Sequence, residues 1–344
     1  MTPPETSRRN LLAGAIAAAA LAPSLAPTLA QAQDPKFAPA NAHGPGTDLK
    51  VERFPIWPGT PPGYPAAGVK DVFVKRSPTG DEDDIAWTNV AIPMLTVVHP
   101  EKPNGAAMLV VPGGGYVRVA VGRHGSDIAQ RFAAQGITTF ELLYRLPHDG
   151  WAAGPDVSLQ DAQRALRLIR AGAGTRWQVD PERVAISGYS AGGHLAARAA
   201  SRPDLVTYAP VDAADRQSAR VNVAGLFFPV VTMLDEGVHR QSREQLLGAR
   251  KDDPEARTHW STQIGLPADM PPTYVACNAD DPVVPPENAI LMFRALNTLK
   301  IPTELMIFEK GGHGPPAPHK DGTPTPWMAL FEAFAGDHGW PVRA

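Results

Sequence analysis

Short, mostly apolar runs recur along the chain at residues 107–111, 137–143, 183–187, 221–228, 273–277 and 303–308. None alternates strictly between apolar and polar, so each predicts a strand buried on both faces. Between the runs the period changes. In 126–134, Ile128, Phe132 and Ala133 point one way, and Gly136 stops the pattern. Leu159, Ala162, Leu166 and Ile169 share one face of a longer helix that ends near Gly172 and Gly174. Ser158, with Asp161 three residues on, predicts a capping box at its start. Residues 195–200, 287–299 and 326–334 predict further helices. This alternation predicts an α/β fold, a mostly parallel central sheet with helices on both faces. Ahead of it, 71–75 and 92–98 predict antiparallel N-terminal edge strands. Pro93 suits an edge because it has no N–H to give to a ladder.

The first residues do not belong to that pattern. Ser7-Arg8-Arg9-Asn10-Leu11-Leu12 leads into an Ala/Leu stretch too short to span a bilayer, and Ala30-Gln31-Ala32 fits a small-residue cleavage site. Residues 1–32 therefore predict a twin-arginine export signal cut after Ala32. The mature chain, starting near Gln33, is expected in the periplasm or outside the cell, with no stable membrane insertion. Residues 33–67, rich in Pro, Gly and Ala, predict an extended arm, and 68–344 one catalytic domain. The less regular stretch 232–271 is a candidate lid.

Composition narrows the partners. A formal net charge of -3 with no basic cluster predicts no nucleic-acid partner. The single cysteine, Cys277, cannot form an internal disulfide, and its apolar run predicts a packed small hydrophobe. Asp81-Glu82-Asp83-Asp84 lacks the alternating spacing of a calcium loop and predicts a solvated loop. No histidine pair has zinc-binding helical spacing, so no metal is expected.

The chemistry concentrates at strand ends. Gly188-Tyr189-Ser190-Ala191-Gly192-Gly193 lies between the strand at 183–187 and the helix at 195–200. A serine flanked by glycines at a strand-to-helix turn is a nucleophile elbow, with Ser190 Oγ raised at the top of the sheet. A serine hydroxyl needs a neighbouring base and a place for oxyanion charge. The strand at 107–111 runs into Pro112-Gly113-Gly114-Gly115-Tyr116, whose N–H groups no side chain blocks. Gly114 and Gly115, with Gly113 as an alternative, are the candidate loop donors beside the N–H of Ala191. For the base, His313 sits in Gly311-Gly312-His313-Gly314 after the last strand. His194, inside the helix after the elbow, predicts a packed structural residue. His124, His148, His239 and His319 predict surface positions that could also line a pocket. For the orienting acid, Asp281 of Asn278-Ala279-Asp280-Asp281-Pro282-Val283-Val284-Pro285 is preferred, with Asp280 as fallback and Asp235 third. The order Ser190, Asp281, His313 is that of elbow hydrolases. Tyr116, Tyr189 and Trp151 are candidate substrate-binding platforms for a sugar ring, and Trp260 and Trp327 are further ones.

From Ile56-Trp57-Pro58-Gly59 to its end the chain resembles the α/β-hydrolase fold, and within it the bacterial acetylxylan and other carbohydrate acetyl esterases. The resemblance is carried by Pro112-Gly113-Gly114-Gly115-Tyr116, Tyr144-Arg145-Leu146-Pro147, Leu159-Gln160-Asp161-Ala162, Asp180-Pro181-Glu182-Arg183, the elbow with His194, Asp280-Asp281-Pro282-Val283-Val284-Pro285 and Gly312-His313-Gly314. The lipase-like branch carries His before its three glycines, where this chain has Pro112. The resemblance implies hydrolysis of small-molecule or oligosaccharide esters without a cofactor. A serine peptidase, or a non-catalytic binding module on the same fold, is the alternative. Neither oligomeric state nor acyl preference is legible.

Overall fold

The strand runs pair largely as their burial requires. The computed structural model describes residues 42–43, 49–76 and 83–340. The export signal expected over 1–32 lies outside them. The strands are β1 (Ala42–His43), β2 (Lys50–Pro55), β3 (Val72–Lys75), β4 (Ile85–Asn89), β5 (Met94–Val98), β6 (Gly105–Val111), β7 (Thr138–Leu143), β8 (Val179–Tyr189), β9 (Ala224–Phe227), β10 (Thr273–Asn278) and β11 (Thr303–Phe308). The α-helices are α1 (Asp127–Ala134), α2 (Val157–Ala171), α3 (Ala191–Ser201), α4 (Arg240–Leu247), α5 (Pro254–His259), α6 (Glu287–Thr298) and α7 (Trp327–Asp337).

A nine-stranded sheet has the order β1-β2-β5-β7-β6-β8-β9-β10-β11. From β7 to β11 all neighbours are parallel. From β1 to β7 they are antiparallel. Residues 106–111 of β6 are all buried, because both faces are covered. Met108 and Val110 join Phe132 of α1 and Phe331 of α7 in one apolar cluster. On α2 and α3, which pack together, buried Leu166, Ile169, Leu195 and Ala199 line the other layer. Burial on both faces is why the inner strands read as continuous apolar runs; β11, at the sheet edge, is the exception and holds no fully buried residue.

Several expectations are corrected. β3 does not join the main sheet; it pairs with β4 in a separate hairpin, with Phe73 against Trp87. The N-terminal edge of the sheet is antiparallel, as expected, but β1 and β2 form its outer strands: β5 is bonded to β2 on one side and β7 on the other, and Pro93 falls just before it. Lys50–Pro55, inside the expected arm, is strand β2, and its neighbours are anchored too: Arg164 donates to the Ile56 carbonyl at 2.9 Å and Arg145 to that of Pro62 at 2.8 Å. The capping box does not form. Ser158 instead donates to the Arg145 carbonyl, and Asp161 is taken by the buried Arg145 (2.8 Å) and by Trp57 Nε1 (2.7 Å). A buried carboxylate held by a guanidinium leaves nothing for a helix terminus. Of the acidic run, Asp83 is no solvated residue: its carboxylate accepts from the Arg123 and His124 N–H groups. Asp81 and Glu82 lie outside the described residues.

Candidate active site

Every candidate reactive group stands at the carboxyl end of a parallel strand, where open α/β sheets place their ligands. Ser190 links β8 to α3 with φ 58° and ψ -124°. This left-handed backbone is strained for a residue with a side chain, at a cost of about 1–3 kcal/mol. Two glycines make the sharp turn possible. A Cβ at Gly188 would strike the Gly192 carbonyl, and one at Gly192 would strike those of Val111 and Pro112. The turn is then locked: Ser190 N–H donates to the Phe227 carbonyl at 3.0 Å, and its own carbonyl accepts from Gly193 and Val230.

The structure brings Ser190, His313 and Asp281 into one hydrogen-bonded line. Ser190 Oγ lies 2.7 Å from His313 Nε2, and His313 Nδ1 lies 2.7 Å from Asp281 Oδ2. A carboxylate only accepts, so Nδ1–H donates to Asp281 and Nε2 presents its lone pair to the serine hydroxyl. Asp281 Oδ1 accepts from the Val283 and Val284 N–H groups, at 2.8 and 3.0 Å. Burial works to raise its pKa, but the His313 bond and these two N–H groups outweigh it and hold the carboxyl below its ordinary value. The side chain therefore stays ionised and ready to balance an imidazolium.

Asp280 does not touch His313. Its Oδ1 accepts from the N–H groups of Gly311 and Gly312, at 2.9 and 2.8 Å. Asn278 Nδ2 donates to the carbonyls of Gly312 and Gly314, at 2.8 and 2.9 Å. The end of β10 thus supplies the acid and also pins the loop that carries the imidazole. Asp235 is exposed and paired with Arg243 and Arg257, away from the line.

Facing the serine is the loop after β6. Gly114 has φ +141°, and a Cβ there would collide with the Arg118 carbonyl. Among the described residues no acceptor takes the N–H of Gly114, Gly115 or Ala191. Unpaired amides beside a nucleophile are what a developing oxyanion needs. Tyr116 follows, with φ 59°.

The three expected platforms are corrected. Tyr116 is 1 % exposed, Tyr189 6 % and Trp151 3 %, so none offers a ring face to a ligand. Tyr189 stacks on Phe227 at 5.0 Å, and Trp151 packs edge-on with Tyr64. Trp260 is buried as well. Tyr116 is an anchor instead: its hydroxyl meets His194 Nδ1 at 2.8 Å, and His194 Nε2 meets the Trp260 carbonyl at 2.7 Å. The carbonyl only accepts, so Nε2 carries the proton and Nδ1 accepts from the tyrosine. Burial pushes the His194 pKa down to about 3. His194 is the packed residue its helix position predicts.

Sequence reasoning missed Phe228. It directly follows β9, has φ 38°, and its ring sits 5.1 Å from that of His313, edge to face. A strained aromatic at a strand end next to a site is a mark of functional constraint. Its only advance signal was its place at the end of a buried run. Among the described residues no group of three or more His, Cys, Asp or Glu could hold a metal ion, and no helix is long and apolar enough to cross a membrane.

The elbow, the hydrogen-bonded line and the sheet order define an α/β-hydrolase fold with a Ser-His-Asp line at its strand ends. The BD-FAE family model matches residues 95–296, and the chain belongs to that family. The chain is 31% identical over 218 residues to an acetylxylan esterase of Xylanibacter ruminicola, covering 62% of this chain and 42% of that protein. It is 32% identical over 221 residues to endo-1,4-beta-xylanase B of Butyrivibrio fibrisolvens, covering 64% of this chain and 34% of that protein. The chain spans less than half the length of these curated relatives. Among solved structures it is similar to the acetyl ester-xyloside bifunctional hydrolase of Caldicellulosiruptor lactoaceticus, with TM-score 0.65 and 27% identity, covering 88% of this chain and 100% of that one.

Proposed function

We propose that this chain hydrolyses carboxylic esters with short acyl groups, acetyl above all, borne on carbohydrate hydroxyls. The observation that carries the reading is the unbroken line Ser190–His313–Asp281 beside unpaired amides. Ser190 Oγ attacks the ester carbonyl carbon while His313 Nε2 takes its proton. The N–H groups of Gly114, Gly115 and Ala191 hold the negative oxygen, and Asp281 balances the imidazolium. His313 then gives its proton to the leaving alcohol oxygen as the C–O bond breaks, leaving the acyl group on Ser190. Water attacks next and passes a proton to His313. The acid departs, and the proton returns to Ser190 Oγ. The acetylxylan esterase and acetyl ester-xyloside hydrolase among its relatives support an acetylated sugar as substrate.

Release of 4-nitrophenol from its acetate tests the chemistry. Ser190→Ala is expected to lower kcat by a factor of about 10⁴ or more, with the fold intact by circular dichroism. Full activity in that variant removes Ser190 from the reaction. Turnover of peptide anilides with none of esters makes the protein a peptidase. We also propose export through the Arg8-Arg9 signal, with the enzyme at work in the periplasm or beyond. Undiminished appearance of an Arg8→Lys, Arg9→Lys double variant in the periplasmic fraction would contradict that route.

A further inference from the structure

We propose that His239 and Gln241 form a hydroxyl-binding subsite for the alcohol half of the ester, an inference that rests on the acetyl-ester reading above. Both belong to the start of α4, in the irregular stretch 232–271. Both stand over the glycine loop. A Cβ built on Gly115 would lie 3.1 Å from Gln241 Oε1 and 3.6 Å from His239 Cε1. The glycine they overhang is one assigned to hold the oxyanion, so a bound ester places its remaining atoms beside them.

The two side chains have polar atoms to offer. His239 Nδ1 is engaged with Ser242 Oγ at 2.7 Å, which fixes the ring. Among the described residues His239 Nε2 and the Gln241 carboxamide have no partner. Burial and the nearby His313 lower the His239 pKa, against a smaller raising pull from Asp281. The ring is thereby favoured in its neutral form. A neutral imidazole and a carboxamide match groups that donate and accept alike, and a hydroxyl is such a group. Of the two cations nearby in the chain, Arg243 is turned away to Asp235, at 2.6 Å, and Arg240 is exposed and acts on the same carboxylate. An acetyl group has no hydrogen-bonding atom except the carbonyl oxygen, which the loop amides take. The polar pair is left with the alcohol moiety, and a sugar ring with free hydroxyls fits it where a plain alkyl or aryl alcohol does not.

Binding to the inactive enzyme tests this apart from the chemistry. The Ser190→Ala protein is titrated calorimetrically with an acetylated methyl xyloside that keeps a free hydroxyl. Adding Gln241→Ala or His239→Ala is expected to weaken binding by about fivefold each, one hydrogen bond's worth. With 4-nitrophenyl acetate as ligand the weakening should be smaller. Gln241 is exposed and has no partner to lose, so its variant carries the test even if His239→Ala, which strips Ser242 of a partner, fails to fold. Equal affinities with and without Gln241→Ala overturn the proposal, and so does an absence of xyloside binding. Failure of the esterase reading shows elsewhere, in the wild-type 4-nitrophenyl acetate assay.

Discussion

Two glycine-rich loops converge on Ser190, and they are anchored in opposite environments. The loop after β6 is tied down inside the core. Tyr144 donates to the Pro112 carbonyl at 2.9 Å, and Tyr116 reaches through His194 to Trp260. Tyr116, Tyr144 and His194 are all 1 % exposed or less. The loop after β11 is tied down through its own backbone by the buried Asn278 and, at the rim, by the exposed Asp280, which takes its two glycine N–H groups. A buried anchor cannot be lost without leaving orphaned polar groups, so its energy is bound up with folding. A rim anchor can be replaced by water, so its loss falls on the geometry of the loop it holds.

The largest test is His194→Leu. It leaves the Trp260 carbonyl and the Tyr116 hydroxyl unpartnered in the core, and should cost about 3 kcal/mol in urea unfolding. The same variant should change how stability follows pH. The folded His194 has a pKa of about 3 against an ordinary value of 6.5, so the unfolded chain binds a proton that the folded one refuses. Its contribution to stability is complete above pH 6.5 and is lost as pH falls towards 3. Wild type should therefore lose up to about 1.4 kcal/mol per pH unit below that point in excess of the variant. Parallel pH profiles would mean that His194 titrates freely, and the buried half of the comparison would fail.

The sequence declared the glycine loop, the elbow and the imidazole loop, because each chemistry demands particular residue types at a strand end. The central strands were equally plain, since burial on both faces leaves a continuous apolar run. It misassigned what depends on pairing at a distance. β2 hid in a Pro-rich stretch because its partner, β5, lies well beyond it along the chain. Asp161 looked like a cap because nothing local reveals that Arg145 is folded onto it. Tyr116, Tyr189 and Trp151 looked like sugar platforms because an aromatic beside a site reads the same whether its ring faces inward or outward. Asp280 and Asp281 could be ranked but not given separate tasks, since neighbours at a turn point in directions that only the tertiary fold fixes.

That last pair yields the smallest and sharpest test of the rim anchor. Asp280→Ala removes the acceptor for the Gly311 and Gly312 N–H groups and should lower kcat on 4-nitrophenyl acetate by about tenfold, since a modestly displaced base is a poor one. KM should change little, because Asp280 does not meet the substrate, and the urea midpoint should hold, because the freed amides reach water. Asp280→Asn keeps an oxygen in place and should restore most of the rate, whereas Asp281→Asn should not, because its neighbour's task is to stabilise charge on His313. An Asp280→Asn protein as slow as the Asp280→Ala one would transfer the role from hydrogen bonding to negative charge. A drop in the urea midpoint with kcat untouched would instead make Asp280 an anchor of the fold, and the two loops would then be held by the same principle.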